Sequence, residues 1–206
     1  MPVDFGKKTG AVNLNKGDRV SIDKGHVITA TVSWPSATDY DLFAIARTPE
    51  GEEVHVATFG TETGPTRIPQ DSAFGGTIKH LGDVTRPDAS TGRADETILI
   101  KADPRWSKIV LVAYSAQKNS TGSFHRYQVS TKVDNGDGTV VTIDAANANN
   151  NDRIYSVAVA MITNTPDGLQ IEALEQYSDP NSENRPKFDH RGRLRMDKGA
   201  RNVYKP

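Results

Sequence analysis

The 206 residues carry 25 basic and 26 acidic side chains, a net charge of −1, and 35% of them are hydrophobic. Near-neutrality argues against a wholly basic nucleic-acid binder, and the lack of cysteine excludes disulfides, thiolate catalysis and cysteine-ligated zinc. Apolar runs such as Ile109 to Tyr114 are far too short for a membrane helix, and no apolar stretch follows Lys7 and Lys8 to make a signal peptide. The expectation is therefore a soluble, cytoplasmic, globular protein.

Along the chain the dominant period is two. From His26 to Trp34, Ile28, Ala30, Val32 and Trp34 alternate with Thr29, Thr31 and Ser33, the pattern of a strand with one buried face. Strands are also expected at Tyr40 to Arg47, Glu53 to Phe59 and Glu96 to Lys101. Ile109 to Tyr114 is apolar on both faces, which predicts a central strand covered on both sides. His125 to Val133 alternates, and Thr139 to Asp144, Ile154 to Thr163 and Leu169 to Glu175 follow. Between two of these, Asp134-Asn-Gly-Asp-Gly-Thr139 reads as a hairpin turn. As an EF-hand loop it fails, because position twelve is Ala145 where a bidentate Glu is required. Asp144 to Asn150, rich in Asn, suits a short helical turn or a loop equally well. Nine or ten short strands separated by Gly, Pro, Asn and Asp predict an antiparallel sandwich or barrel.

Composition shifts at Ser178. The stretch Ser178 to Pro186 has almost nothing to bury and reads as a linker. From Arg185 onward eight basic residues face only Asp189 and Asp197, a net +6, which leaves −7 on the rest of the chain. The domain expectation is thus a β-domain over 1–177 and a linker with a basic tail over 178–206. Such a tail is either a solvated terminus or an arm for anionic lipid, nucleic acid or an acidic protein.

Carboxylates concentrate in two places. One is Asp39-Tyr-Asp41; the other runs from His80 to Glu96 and holds Asp83, Asp88 and Asp95. Calcium takes six to eight oxygens at flexible distances, and loops with spaced Asp and Gly can supply them. Asp and Gly also serve as ordinary turn residues, so spacing alone does not decide the matter.

Several stretches in order across residues 11 to 175 resemble the TerD domain of tellurium-resistance and general stress-response proteins. They are Leu14 to Gly17 with Val20 and Ile22, Val32-Ser-Trp34, Tyr40-Asp-Leu42, and His80-Leu-Gly-Asp83 followed by Gly92 and Asp95-Glu-Thr-Ile98. Ile109 to Val112 and Phe124 complete the series. The resemblance implies a β-sandwich with acidic loops at one end that holds one or two calcium ions, in the cytoplasm or at the inner face of the membrane. Carried over position by position, the ligands are Asp41, Asp83, Asp95 and Glu96. Asp39 and Asp88 are further candidate oxygens without a motif match. The chain departs from the family at Phe43, Val84 and Ala94, each standing where the family has a polar or acidic residue. Its basic end replaces the closing strand segment.

No nucleophile elbow, P-loop or histidine-metal spacing is present, and Asp95 and Glu96, as strand neighbours, should point to opposite faces. His26, His55 and His125 read as half-buried strand residues. His80 reads either as a group orienting the acidic loop or as a simple strand end. The functional expectation is a calcium-binding stress-response module that recruits a protein partner or a membrane surface, not an enzyme. The alternative is a metal-free interaction module that works through its basic tail, the only part suited to nucleic acid.

Overall fold

Two patterns in the sequence, one-sided alternation and two-sided apolarity, correspond to two different sheets. The computed structural model describes residues 1–35, 38–84, 92–116, 123–144 and 150–203. Its strands are β1 (Asp4–Lys7), β2 (Gly10–Leu14), β3 (Arg19–Ile22), β4 (Ile28–Pro35), β5 (Asp41–Arg47), β6 (Glu53–Val56), β7 (Ser72–Ala73) and β8 (Ile78–His80). These continue with β9 (Arg93–Ile100), β10 (Lys108–Tyr114), β11 (Ser130–Asp134), β12 (Thr139–Asp144), β13 (Ser156–Thr165), β14 (Gly168–Tyr177), β15 (Lys187–Phe188) and β16 (Leu194–Arg195). One seven-stranded sheet has the order β1-β3-β14-β13-β10-β5-β6, the other β2-β12-β11-β4-β9-β8-β7, and β15 pairs with β16. The chain is an all-β sandwich. No helix among the described residues is long and apolar enough to cross a membrane.

The second sheet follows the period-two rule. In β4 the residues Ile28, Ala30, Val32 and Trp34 are buried, while Thr29, Thr31 and Ser33 face outward. The outward faces of β4 and β9 are polar where they meet, with Thr31 and Thr97 hydroxyls 3.1 Å apart. Facing the inner side of this sheet are Leu42, Ala44 and Ala46 of β5, Ile109 and Leu111 of β10 and Ile171 of β14, and together they make the main core.

The centre of the first sheet, at β5 and β10, is buried on both sides, as the sequence of β10 requires. Phe43 and Ile45 of β5, with Val110, Val112 and Tyr114 of β10, form a second apolar cluster on its outer face. Phe188 packs into this cluster, and Leu194 and Met196 pack against it. The segment expected as a linker and a solvated basic tail is therefore part of the fold as far as residue 203. An apolar outer face needs a cover, and the C-terminal residues supply it.

Arg185 anchors that cover. It is 1% exposed and donates from Nε to Asn202 Oδ1 (2.7 Å) and from a terminal nitrogen to the Phe59 carbonyl (2.8 Å). Its guanidinium carbon lies 4.9 Å from the ring centroids of both Phe43 and Phe59, a cation–π geometry. Burial pulls its pKa down to about 10, so the side chain remains charged at neutral pH. Beside it, Glu183 accepts from the Tyr114 hydroxyl (2.8 Å) and pairs with Arg201 (2.9 Å).

His55 closes the network. Its Nδ1 lies 3.2 Å from an Arg185 terminal nitrogen, which can only donate, so Nδ1 accepts and Nε2 carries the proton toward Glu53, 3.4 Å away. Burial first of all, and then the Arg185 and Lys187 charges, hold its pKa below the usual histidine value of 6.5, against the upward pull of Glu53. As pH falls below about 6.5 the unfolded chain takes up this proton before the folded one. The histidine thus leaves stability intact above that value and lowers it progressively below. Denaturation midpoints between pH 7.5 and 5.5 should fall less steeply in His55→Asn than in the wild type, and equal slopes would contradict this assignment.

Two features differ from expectation. The sheets are mixed rather than wholly antiparallel, because β1 pairs with β3 and β2 with β12 in parallel. The alternation from His125 to Val133 yields a strand only from Ser130. Before it, backbone bonds from Gln128 to His125 and from Val129 to Phe124 wind the chain into turns. Those turns bring Phe124 and Tyr127 to Tyr40, at ring distances of 5.2 and 6.3 Å. The helical turn considered near Asp144 to Asn150 falls largely on 145–149, outside the described residues. The hairpin matches its prediction: Asn135 Oδ1 accepts from the amides of Asp137 and Thr139, and Gly136 and Gly138 adopt positive φ.

Candidate metal centre

Three of the carboxylates singled out from sequence meet at one rim of the sandwich. Asp41 is the first residue of β5, Asp83 follows β8, and Glu96 lies on the inward face of β9. Each offers an oxygen within 4.8 Å of the others. Asp41 and Glu96 are buried, and Asp83 is exposed. The site is thus a buried pair opened to solvent on one side by a loop aspartate.

Sheet register accounts for the convergence. β8 pairs with β9 through His80 and Ile98, and the Leu81 amide continues the ladder to the Thr97 carbonyl (2.9 Å). Gly82 then takes φ 116°, a value that L side chains rarely adopt, and the chain turns back so that the Val84 amide reaches Glu96 Oε1 (3.2 Å). The other oxygen, Oε2, accepts the Leu42 amide at 2.6 Å. Glu96, 0% exposed, therefore ties its own sheet to β5 of the opposite sheet and to the acidic loop.

His80 supports this arrangement and does not compete for a metal. Its Nδ1 accepts from the Gly82 amide (3.0 Å). Nε2 must then be the protonated nitrogen, and it donates to the Leu42 carbonyl (2.9 Å) with Glu96 Oε2 at 3.4 Å. Both ring nitrogens are in use, so the donor set facing the rim is oxygen only. Of the two sequence readings of His80, the orienting one fits this geometry.

The other candidates are placed differently. Asp95 points to the opposite face of β9 from Glu96, where it is exposed and accepts from the Ser33 hydroxyl. Asp39 is half-buried and does not join the three. Asp88 lies outside the described residues. Because Asp95 and Glu96 diverge, they cannot act together as acid and base.

The chain matches no protein-family model and no curated protein. Likeness to the TerD domain thus rests on the ordered motifs themselves. All three departures from that pattern are apolar packing positions. Ala94 is buried in the main core, Val84 packs against it, and Phe43 lies on the outer face beneath Arg185.

Sequence reasoning missed the Arg185–His55–Glu53 network, and it mistook two environments. His26 and His125 are exposed rather than half-buried. One signal for the network was available: a two-sided apolar β10 in a chain with few helices implies that some other segment covers the outer sheet.

Proposed function

We propose that the protein is a TerD-like calcium-binding module of a stress response, in which Asp41, Asp83 and Glu96 hold the ion. The observation that carries this reading is the meeting of three carboxylates, drawn from positions 41, 83 and 96, at one partly open rim. The donor chemistry suits a hard cation. Three carboxylates supply up to six oxygens, water can complete the shell, and both nitrogens of His80, the histidine beside the rim, are engaged. Each Glu96 oxygen already accepts one backbone amide, which fixes the carboxylate's orientation and leaves lone pairs for a cation.

A bound calcium would offset the mutual repulsion of the three carboxylates and would fasten the 81–84 loop to β5. The module then works by ligation: the ion orders an acidic surface at the rim, and a protein partner or a membrane face recognises it. The basic tail is a weaker candidate for that partner surface, because Arg185, Glu183 and Phe188 are committed to packing.

Melting the protein in chelator and in millimolar calcium tests the reading. An ion at a hundredfold excess over its Kd adds about 2.7 kcal/mol, which for a chain of this size raises the midpoint by about 5–10 °C. An unchanged midpoint would refute it.

A further inference from the structure

On the opposite side of the first sheet from the main core, the folded-back C-terminal segment and the β5–β6 hairpin enclose a groove of about 690 Å³. That volume falls within the usual range for small-molecule sites. Three cations line it: Arg47 at the end of β5, and Lys187 and Lys198 from the C-terminal segment. No carboxylate forms an ion pair with any of them among the described residues.

The acidic groups lining the same groove are, with one exception, already engaged. Glu53 accepts the Phe188 amide through Oε1 (2.7 Å) and faces His55 through Oε2. Asp189 accepts the Arg191 and Arg193 amides and pairs with the Arg193 guanidinium (2.9 Å), which together hold its pKa down near 2. Only Glu50, exposed at the hairpin tip, has no such partner. With Asp189 offset by Arg193, the three cations outnumber Glu50 and Glu53, and the lining is net positive.

Arg47 is the most informative of the lining groups. Its Nε is buried without a hydrogen-bond partner, so a ligand in the groove meets the terminal nitrogens of the guanidinium and not Nε. Packing holds the guanidinium in place: a Cβ on Gly51 would come within 2.8 Å of it, and one on Gly192 within 3.4 Å. A planar fork fixed in this way at the wall of a half-enclosed groove suits a tetrahedral dianion, with two lysines available as mobile point charges.

The geometry points to a phosphate-binding groove, in which Arg47, Lys187 and Lys198 take the phosphate group of a small phosphate ester. This site lies apart from the acidic rim and does not depend on calcium. It also gives part of the basic tail a role other than that of a free arm.

Calorimetric titration of the full chain tests the proposal, with chelator present so that no rim-bound cation recruits the anion. The probes are inorganic phosphate and ribose 5-phosphate, with ribose as the neutral control and vesicles containing a phosphoinositide as a second source of the same chemistry. Both phosphates should bind saturably and ribose should not. Arg47→Gln, and the double variant Lys187→Gln/Lys198→Gln at exposed positions, should each weaken binding by about tenfold or more, the scale of losing hydrogen bonds to a charged group. The double variant should keep its melting midpoint. Vesicle binding without free-ester binding, lost in the double variant, would retain the phosphate site and assign a lipid headgroup. Absence of binding by every probe, or undiminished binding in the double variant, would overturn the proposal.

Discussion

Replacing Arg185 with alanine should destabilise the protein by about 3–5 kcal/mol, read as a lower denaturant midpoint. The side chain is 1% exposed, and its removal does three things at once. It leaves Asn202 Oδ1 and the Phe59 carbonyl without their donor. It opens a void between the Phe43 and Phe59 rings, and it frees the C-terminal segment from the outer face of the first sheet. Lysine should not rescue the variant, because a single ammonium cannot serve both acceptors and stack between two rings. Arg193→Ala provides the contrast, since that side chain is more than half exposed and pairs only with Asp189; it should cost under about 1 kcal/mol. If the basic tail were a solvated arm, the two substitutions would have the same small effect.

Glu96→Gln should have the second-largest effect, about 2–4 kcal/mol in chelator, and it should also abolish the calcium-dependent rise in melting temperature. The carboxylate accepts an amide on each oxygen, from Leu42 and from Val84, and it faces the His80 Nε2 proton. A glutamine can turn its oxygen toward only one amide, so its own NH2 confronts the other donor in a fully buried site. The two readouts separate two roles. Loss of stability in chelator measures the tie between sheets, and loss of the calcium increment measures ligation. A variant that still gains stability from calcium would remove Glu96 from the site while leaving its structural role in place.

Much of the sandwich was legible because burial dictates period. β4 alternates because one of its faces meets the core and the other meets water. β10 does not alternate, because Ile109 and Leu111 fill the main core while Val110 and Val112 fill the outer one. The same parity rule separates Asp95 from Glu96, and it overrides the motif that placed them together. The 135–138 turn was legible from Asn-Gly and Asp-Gly alone.

Other features left little mark on the sequence. β1 and β2 are short, largely exposed edge strands that pair in parallel, β1 with the nearby β3 and β2 with β12, far along the chain. Their composition therefore resembles that of loops. The C-terminal segment was misread because its main anchor is a cation. Arginine counts as surface charge in any compositional tally, yet here two aromatic rings, an amide oxygen and a carbonyl accommodate it out of water. Phe43 was read only as a missing ligand. Its position beneath Arg185 shows that this departure and the basic end of the chain belong to one packing arrangement.

Calcium titration by calorimetry on the wild type, Asp83→Asn and Asp95→Asn tests the central claim most directly. Asp83 is exposed, so its substitution should spare the fold, and Asp95 offers the same chemistry on the opposite face of β9. The account predicts saturable binding of one or two ions to the wild type, an affinity about tenfold or more weaker in Asp83→Asn, and an unchanged isotherm in Asp95→Asn. A wild type that binds no calcium, or an Asp95→Asn variant that loses as much as Asp83→Asn, would contradict it.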